Sequence, residues 1–366
     1  MSDFIIENNI LKKYTGPGGD VVVPDGVDEI ADDAFRGCEQ LTNIRLPDSV
    51  VVIGDGAFSG CRHLTGIAMP GVIVIGSCAF WKCIHLTDVA IPDGAAEIGE
   101  EAFSGCTRLT HIALPDSVSE IGVGAFRECM SLTDITLPAG LTGIRDDVFW
   151  RCERLLHVTF PASLTRIGKQ AFYGCKQLTD VVLPDSVTRI GKGAFAGCEG
   201  LMRITLPAGL TTIDYEEIGG CSPQTVYWPG RGNINWWALK NAHCIIFPHV
   251  SPAIHPFFGM PPYSHAAVRG FLRAPEQYTD AAIRAEYTRC AIGARNEFLP
   301  EIFAEDRVSA LRFYAEQSAI TAENFDPDYL TPATAVHAAE CTAFLLEWRH
   351  RHLPEAGMEP EKEWTM

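Results

Sequence analysis

The chain repeats one 23-residue unit along more than half of its 366 residues. ERLLHVTFPASLTRIGKQAFYGC, ending at Cys175, and KQLTDVVLPDSVTRIGKGAFAGC, ending at Cys198, align without a gap. Cysteine keeps the beat at Cys38, Cys61, Cys83, Cys106, Cys129, Cys152, Cys175, Cys198 and Cys221. Every step is 23 residues except the 22 between Cys61 and Cys83. Phenylalanine stands three residues before the first eight (Phe35, Phe58, Phe80, Phe103, Phe126, Phe149, Phe172 and Phe195), and Ile218 replaces it in the ninth. Proline keeps the same phase from Pro24 to Pro207. A fixed period of this length means stacked repeats, because one unit cannot bury its own apolar face and must share a core with its neighbours.

Within a unit, Val181 and Leu183 alternate with polar positions, as a strand with one buried face requires. Pro184 cannot donate to a ladder and ends that strand. The Pro-Asp-Ser that follows is turn chemistry. Val187 and Ile190 suggest a second short strand on another wall. Gly191 reads as relief at a bend, and Ala194-Phe195 as a short helical turn closing near Cys198.

The frame L-x-x-I-x-L-P-x-S-V-x-x-I-G-x-x-A-F-x-G-C resembles the BspA-type (Treponema pallidum-type) leucine-rich repeat over roughly residues 21–221. The resemblance implies a curved right-handed solenoid that offers a parallel sheet for binding, often on a bacterial surface protein. The expected fold class is therefore a repeat solenoid, mainly parallel β with short helical turns, followed by a small all-α domain.

Phe4–Tyr14 reads as two strands around Asn8-Asn9, a hairpin that would cap the first coil. The expected organisation is a hairpin cap over 1–20, about nine repeats over 21–221, a capping coil over 222–250, a Pro-rich linker over 251–263, helices over 264–353 and a disordered tail over 354–366. In the capping region Asn233–Asn241 is expected to be helical, and Cys244 keeps the cysteine period. Thr279-Asp280 caps a helix to about Ala294, and shorter helices are expected around 298–304 and 307–317. Thr321–Asn324 opens a turn, and Thr331-Pro332 opens a last helix to about His350. The helices around 280–350 are similar to an ankyrin-like array, although the T-P-L-H-x-A signature is missing.

The formal net charge is −17, which argues against nucleic acid and against docking on an anionic membrane. No 18-residue apolar run is present to span a bilayer, and MSDFIIENNILKKY has no secretory h-region. Nine of the 13 cysteines fall on the frame, and no C-x-x-C occurs. Ladder cysteines on adjacent coils can pair as disulfides or stack as small apolar thiols in a reducing compartment. Cytoplasmic localisation is the expectation. Cell-surface display by a route that the sequence does not show is the alternative.

Residues flanking the central Ile/Val of each long strand should point outward. The first column is Asn43, Gly66, Asp88, His111, Asp134, His157, Asp180 and Arg203. The second is Arg45, Ala68, Ala90, Ala113, Thr136, Thr159, Val182 and Thr205. Mixed charge beside a flat column suits a protein or peptide ligand, and a solvated face explains the same pattern. Alternation of His111, Asp134, His157 and Asp180 fits a metal or acid–base site and equally a row that avoids like-charge neighbours. The Pro-Asp pairs are turn formers, and Gly191-Lys192-Gly193 lacks the rest of a phosphate loop. The ligand-rich span His243, Cys244, His249, His255 and His265 matches no metal spacing. A non-catalytic, cofactor-free binding scaffold is the expected function. An enzyme with its site around 243–265 is the lesser alternative.

Overall fold

The computed structural model describes residues 3–210, 212–213, 223, 225–228, 233–234, 244–246, 261–317, 319–321 and 324–352. The chain divides into two units, Met1–His243 and Cys244–Met366. The expected tail, residues 251–260 of the expected linker and most of the expected capping coil lie outside the described residues.

The first unit is a parallel β-solenoid. Each coil, named here by its closing cysteine from coil 1 (Cys38) to coil 8 (Cys198), contributes a long strand, a two-residue strand and a run of turns. Long strands at Gly19–Val22, Leu41–Arg45 and Gly66–Ala68 form one parallel sheet. Asp88–Ala90 then pairs with His111–Ala113, Asp134–Thr136 with His157–Thr159, and Asp180–Val182 with Arg203–Thr205 and Thr225–Tyr227. On the second wall the short strands Glu29–Ile30, Val52–Ile53, Val74–Ile75, Glu97–Ile98 and Glu120–Ile121 run in one parallel ladder.

That ladder begins with a hairpin of β1 (Phe4–Glu7) and β2 (Ile10–Tyr14). Asn8 and Asn9, with φ of 49° and 63°, supply its left-handed turn. Tyr14 lies on Phe35 with ring centroids 5.0 Å apart, so the hairpin covers the end of the aromatic core as well as the sheet edge.

Periodic residues become continuous columns. Phe35, Phe58, Phe80, Phe103, Phe126, Phe149, Phe172 and Phe195 are fully buried, and each ring stacks on the next at centroid distances from 4.9 to 5.7 Å. The Leu, Ile and Ala columns beside them are equally buried. Where a helical turn was expected, the Ala-Phe segment is a run of i→i+3 turns. In coil 2, Ser59 N–H donates to Gly56 C=O at 2.8 Å, and Cys61 N–H to Phe58 C=O at 3.0 Å. Phe58 N–H is directed to Ala79 C=O of the next coil at 2.8 Å, so this wall is laddered between coils as a sheet is.

The glycine after the ladder isoleucine serves a purpose different from the one expected. Gly191 is absent from the positive-φ residues. A Cβ there would stand 2.5 Å from Lys169 N, and one at Gly122 would stand 2.4 Å from Glu100 N. Close approach of successive backbones, and not a bend, excludes a side chain. Coil 6 has Arg145 at this position, and there the second-wall ladder stops at Glu120–Ile121 and restarts at Gly143–Ile144. The Arg145 guanidinium turns out to pair with Glu120.

Asn233–Ile234 is a strand beside Thr212–Ile213, not the start of a helix. The β habit of the frame persists there despite the asparagine caps; residues 235–241 lie outside the described residues.

In the second unit, α1 (Pro261–Arg273) begins three residues before the expected start of the helical region at 264 and takes in two prolines assigned to the linker. First-turn N–H groups have no intrahelical partner, so proline costs nothing there. Strand Cys244–Ile246 packs on this helix so closely that a Cβ at Gly270 would stand 1.8 Å from Ile245 C=O. Asp280 caps α2 (Ala281–Gly293) by accepting from Ala282 and Ile283 N–H. Then come α3 (Arg295–Ala304), α4 (Val308–Glu316), a π-helical turn (Phe325–Leu330), α5 (Thr331–Ala335) and α6 (Ala339–His352). The single last helix expected from Thr331 is broken. His337 is left-handed at φ 58°, and the Asp306 carboxylate accepts from Glu340 and Cys341 N–H to start α6 afresh. Phe271, Tyr278, Tyr287 and Phe313 form the aromatic centre of this core.

Candidate functional site

On the long-strand wall the central residues Ile44, Val89, Ile112, Ile135, Val181 and Ile204 are buried. Their flanking residues point outward by strand alternation. Asn43, Arg45, Asp88, His111, Asp134, Thr136, His157, Thr159 and Arg203 are exposed, while Asp180 and Thr205 are half-buried.

The pairing register brings the first column together two by two. Asp88 lies opposite His111, Asp134 opposite His157 and Asp180 opposite Arg203. Arg203 Nε donates to Asp180 Oδ1 at 2.6 Å. His111 Nδ1 is 3.9 Å from Asp88 Oδ1 and 3.1 Å from Thr110 Oγ1. With about three quarters of their side-chain surface exposed, His111 and Asp88 are too well solvated for strong coupling. The strands of His111 and Asp134, and those of His157 and Asp180, are not paired in one sheet. Pairing therefore joins His111 to Asp88, His157 to Asp134 and Asp180 to Arg203, and does not run through the four-coil alternation. Among the described residues no group of three or more His, Cys, Asp or Glu is placed to hold a metal ion. His243, His249 and His255 lie outside the described residues, as do the side chains of Cys244 and His265.

The second column is flat. Ala68, Ala90 and Ala113 give way to Thr136 and Thr159, then to Val182, which is 66% exposed. At the N-terminal end Arg45 lines a surface depression of ≈ 410 Å³ with Asp25 and Asp48.

Two features escaped the sequence reading. Asp20 accepts from Thr42 Oγ1 at 2.8 Å and Asn43 Nδ2 at 2.7 Å, and Thr65 Oγ1 donates to Asn43 Oδ1 at 3.1 Å. Those hydrogen bonds, from Asn43 first, hold the Asp20 carboxyl below the usual carboxylate range. The signal was present in the threonine column Thr42, Thr65, Thr87, Thr110 and Thr133. Its hydroxyls reach back one coil, as from Thr65 to Thr42 C=O at 3.0 Å.

The second feature is the cysteine ladder. Each buried thiol donates to the phenylalanine carbonyl of the preceding coil, from Cys61 to Phe35 at 3.0 Å through Cys198 to Phe172 at 3.2 Å. The same carbonyl accepts its own coil's cysteine N–H, so both lone pairs are used. These cysteines are hydrogen-bonded thiols in the core, not merely small apolar fillers.

Coils of this geometry, with a leucine-rich frame and an exposed parallel wall, define a leucine-rich-repeat solenoid. The model of the BspA type leucine rich repeat region matches residues 6–131, 70–179 and 165–242, and the chain belongs to that family. The chain is similar to the leucine-rich-repeat protein of Treponema pallidum, with 37% identity, coverage of 48% of this chain and 86% of that one, and a TM-score of 0.45. It is also similar to one from Bacteroides ovatus, with 27% identity, coverage of 66% and 72%, and a TM-score of 0.45. A leucine rich cell surface protein of Faecalibacterium prausnitzii shows 23% identity, coverage of 62% and 93%, and a TM-score of 0.29. No curated protein matches significantly. Among the described residues no helix is long and apolar enough to cross a membrane.

Proposed function

We propose that the chain is a non-catalytic recognition scaffold that binds a protein or an extended peptide on its long-strand wall. The observation that carries this reading is the pairing of Asp88 with His111, Asp134 with His157 and Asp180 with Arg203 beside a column of small side chains. Such a face offers both signs of charge at ladder spacing and a flat strip on which a backbone can lie. A partner would be captured from native lysate, identified and purified. It would then be titrated against wild type and a variant with His111, Asp134, His157 and Asp180 all changed to Ser. Loss of affinity in the variant, with unchanged circular dichroism, supports the reading. Equal affinity sinks it.

The thiol ladder supports residence in a reducing compartment, the cytoplasm, because oxidation would take cysteine S–H donors away from core carbonyls. A thiol count on protein from its native source tests this. Oxidised ladder cysteines would favour the cell surface instead.

A further inference from the structure

On the turn wall, the residue after each ladder phenylalanine is Arg127, Trp150, Tyr173 and Ala196 in coils 5 to 8. Successive coils place these side chains one above the next. Trp150 and Tyr173 stack with centroids 5.9 Å apart and 11° between their planes. The Arg127 guanidinium lies 4.1 Å from the Trp150 centroid, so the N-terminal face of the stack already carries a cation. On the C-terminal side the next position is Ala196, a single methyl, followed by Gly197. Beside the stack a surface depression of ≈ 310 Å³ runs along coils 6 to 8, with Trp150 and Tyr173 on one side, Gly174 and Gly197 in its lining, and Arg151, Lys176, Glu153 and Glu199 as its charged groups.

Charge selects the occupant. Both cations of the lining are engaged by Glu153, with Lys176 Nζ at 3.0 Å and Arg151 Nη2 at 3.4 Å from its Oε1. Glu199 on the next coil has no cation on it among the described residues, and the chain as a whole is strongly acidic. We propose that this depression is a subsite for an arginine side chain of a partner peptide, its guanidinium stacked on the exposed Tyr173 ring and paired with the Glu199 carboxylate. The column then runs cation, indole, phenol, cation, repeating at Tyr173 the contact that Arg127 makes at Trp150. A guanidinium satisfies a ring face and a carboxylate together, whereas a compact, strongly hydrated ammonium does so less well. This wall is separate from the long-strand wall, so the subsite stands or falls independently of the function proposed there.

Saturation-transfer difference NMR on the full chain tests it, with N-acetyl-arginine-N-methylamide as the probe. The citrulline and lysine analogues and glucose serve as comparators. The arginine probe should receive saturation at its δ-methylene, and the uncharged citrulline analogue much less. Tyr173→Ala and Glu199→Gln should each weaken the arginine probe by about two- to fivefold, while Arg108→Ala, on an earlier coil, should leave it unchanged. Equal binding of the citrulline analogue, stronger binding of glucose, or indifference to Glu199→Gln would overturn the proposal. Glu199→Gln keeps size and removes only charge from an exposed side chain, so its result stands even where Tyr173→Ala disturbs the turn.

Discussion

The Lys82 ammonium stands 4.1 Å from the centre of the Trp81 ring, and Lys82 itself is left-handed at φ 56°. Gly37, Gly60, Gly105, Gly174 and Gly197 occupy the same frame position with positive φ, while Glu128 and Arg151 join Lys82 as exceptions. The conformation is imposed by the stack: Lys82 N–H must reach Ser104 C=O of the next coil, at 2.8 Å. Glu128 has the same strain, at φ 58°, without a ring beneath it. Relief of left-handed strain is worth ~1–2 kcal/mol, partly offset by ~0.5–1 kcal/mol of glycine entropy. Glu128→Gly should therefore stabilise the solenoid by ~0.5–1 kcal/mol. Lys82→Gly gives up ~0.5–1 kcal/mol of cation–π contact as well, so it should be near neutral. Urea denaturation of both variants decides it, and a larger gain for Lys82→Gly would contradict the account.

A pair of glycines tests the close-approach argument. A Cβ at Gly122 would meet Glu100 N at 2.4 Å, whereas one at Gly94 meets nothing within 4 Å. Gly122→Ala should cost about 1–3 kcal/mol through forced separation of coils. Gly94→Ala should be neutral or stabilising by up to ~1 kcal/mol. Equal effects in thermal denaturation would show that glycine is needed for flexibility instead.

Burial pushes the Cys61 and Cys106 thiols up to about 12 from an ordinary 9.0, and Cys83, Cys129 and Cys175 well above it. The folded chain thus keeps protons that the unfolded chain releases above pH 9. The stabilisation is fully present below that pH and is lost as pH rises through the folded values. Cys61 and Cys106 should each remove about 1.4 kcal/mol of stability per pH unit between 9 and 12. Cys106→Ser should flatten the alkaline fall by one thiol's share. In the native protein at pH 8, iodoacetamide should label the half-exposed Cys38 and Cys78 before any buried ladder cysteine.

Much of this molecule was legible because a solenoid turns period into contact. The spacing of Phe103 and Phe126 is enough to place them in one column, and strand alternation is enough to turn Asp88 and His111 outward. What the spacing does not carry is distance between coils. The reason for Gly191, the ladder break at Arg145 and the thiol donation to Phe80 C=O all depend on how closely backbones approach, and one unit's pattern is silent on that. Nor could the frame show which neighbouring strands pair, so Asp88–His111 and Asp134–His157 emerged as separate couples. In the helical unit the residues near 336 give no break signal of their own, because the cap of α6 is Asp306, 34 residues before Glu340.

That cap supplies an acid-dependent test of the second unit. Cys341 N–H, then Glu340 N–H, hydrogen-bond to the Asp306 carboxylate and hold it below its ordinary 3.8. A carboxylate depressed in the folded state contributes stability above its unfolded value and loses it as pH falls through the folded one. The first turn of α6 should therefore lose amide protection below about pH 4, once intrinsic exchange is corrected for. Asp306→Ala should show reduced protection over 339–345 already at pH 7, with little further loss on acidification. Hydrogen exchange read by mass spectrometry on the full chain separates the two cases. Unchanged protection at pH 7 in Asp306→Ala would mean that packing of Cys341 and Leu345, both fully buried, starts α6 without its cap.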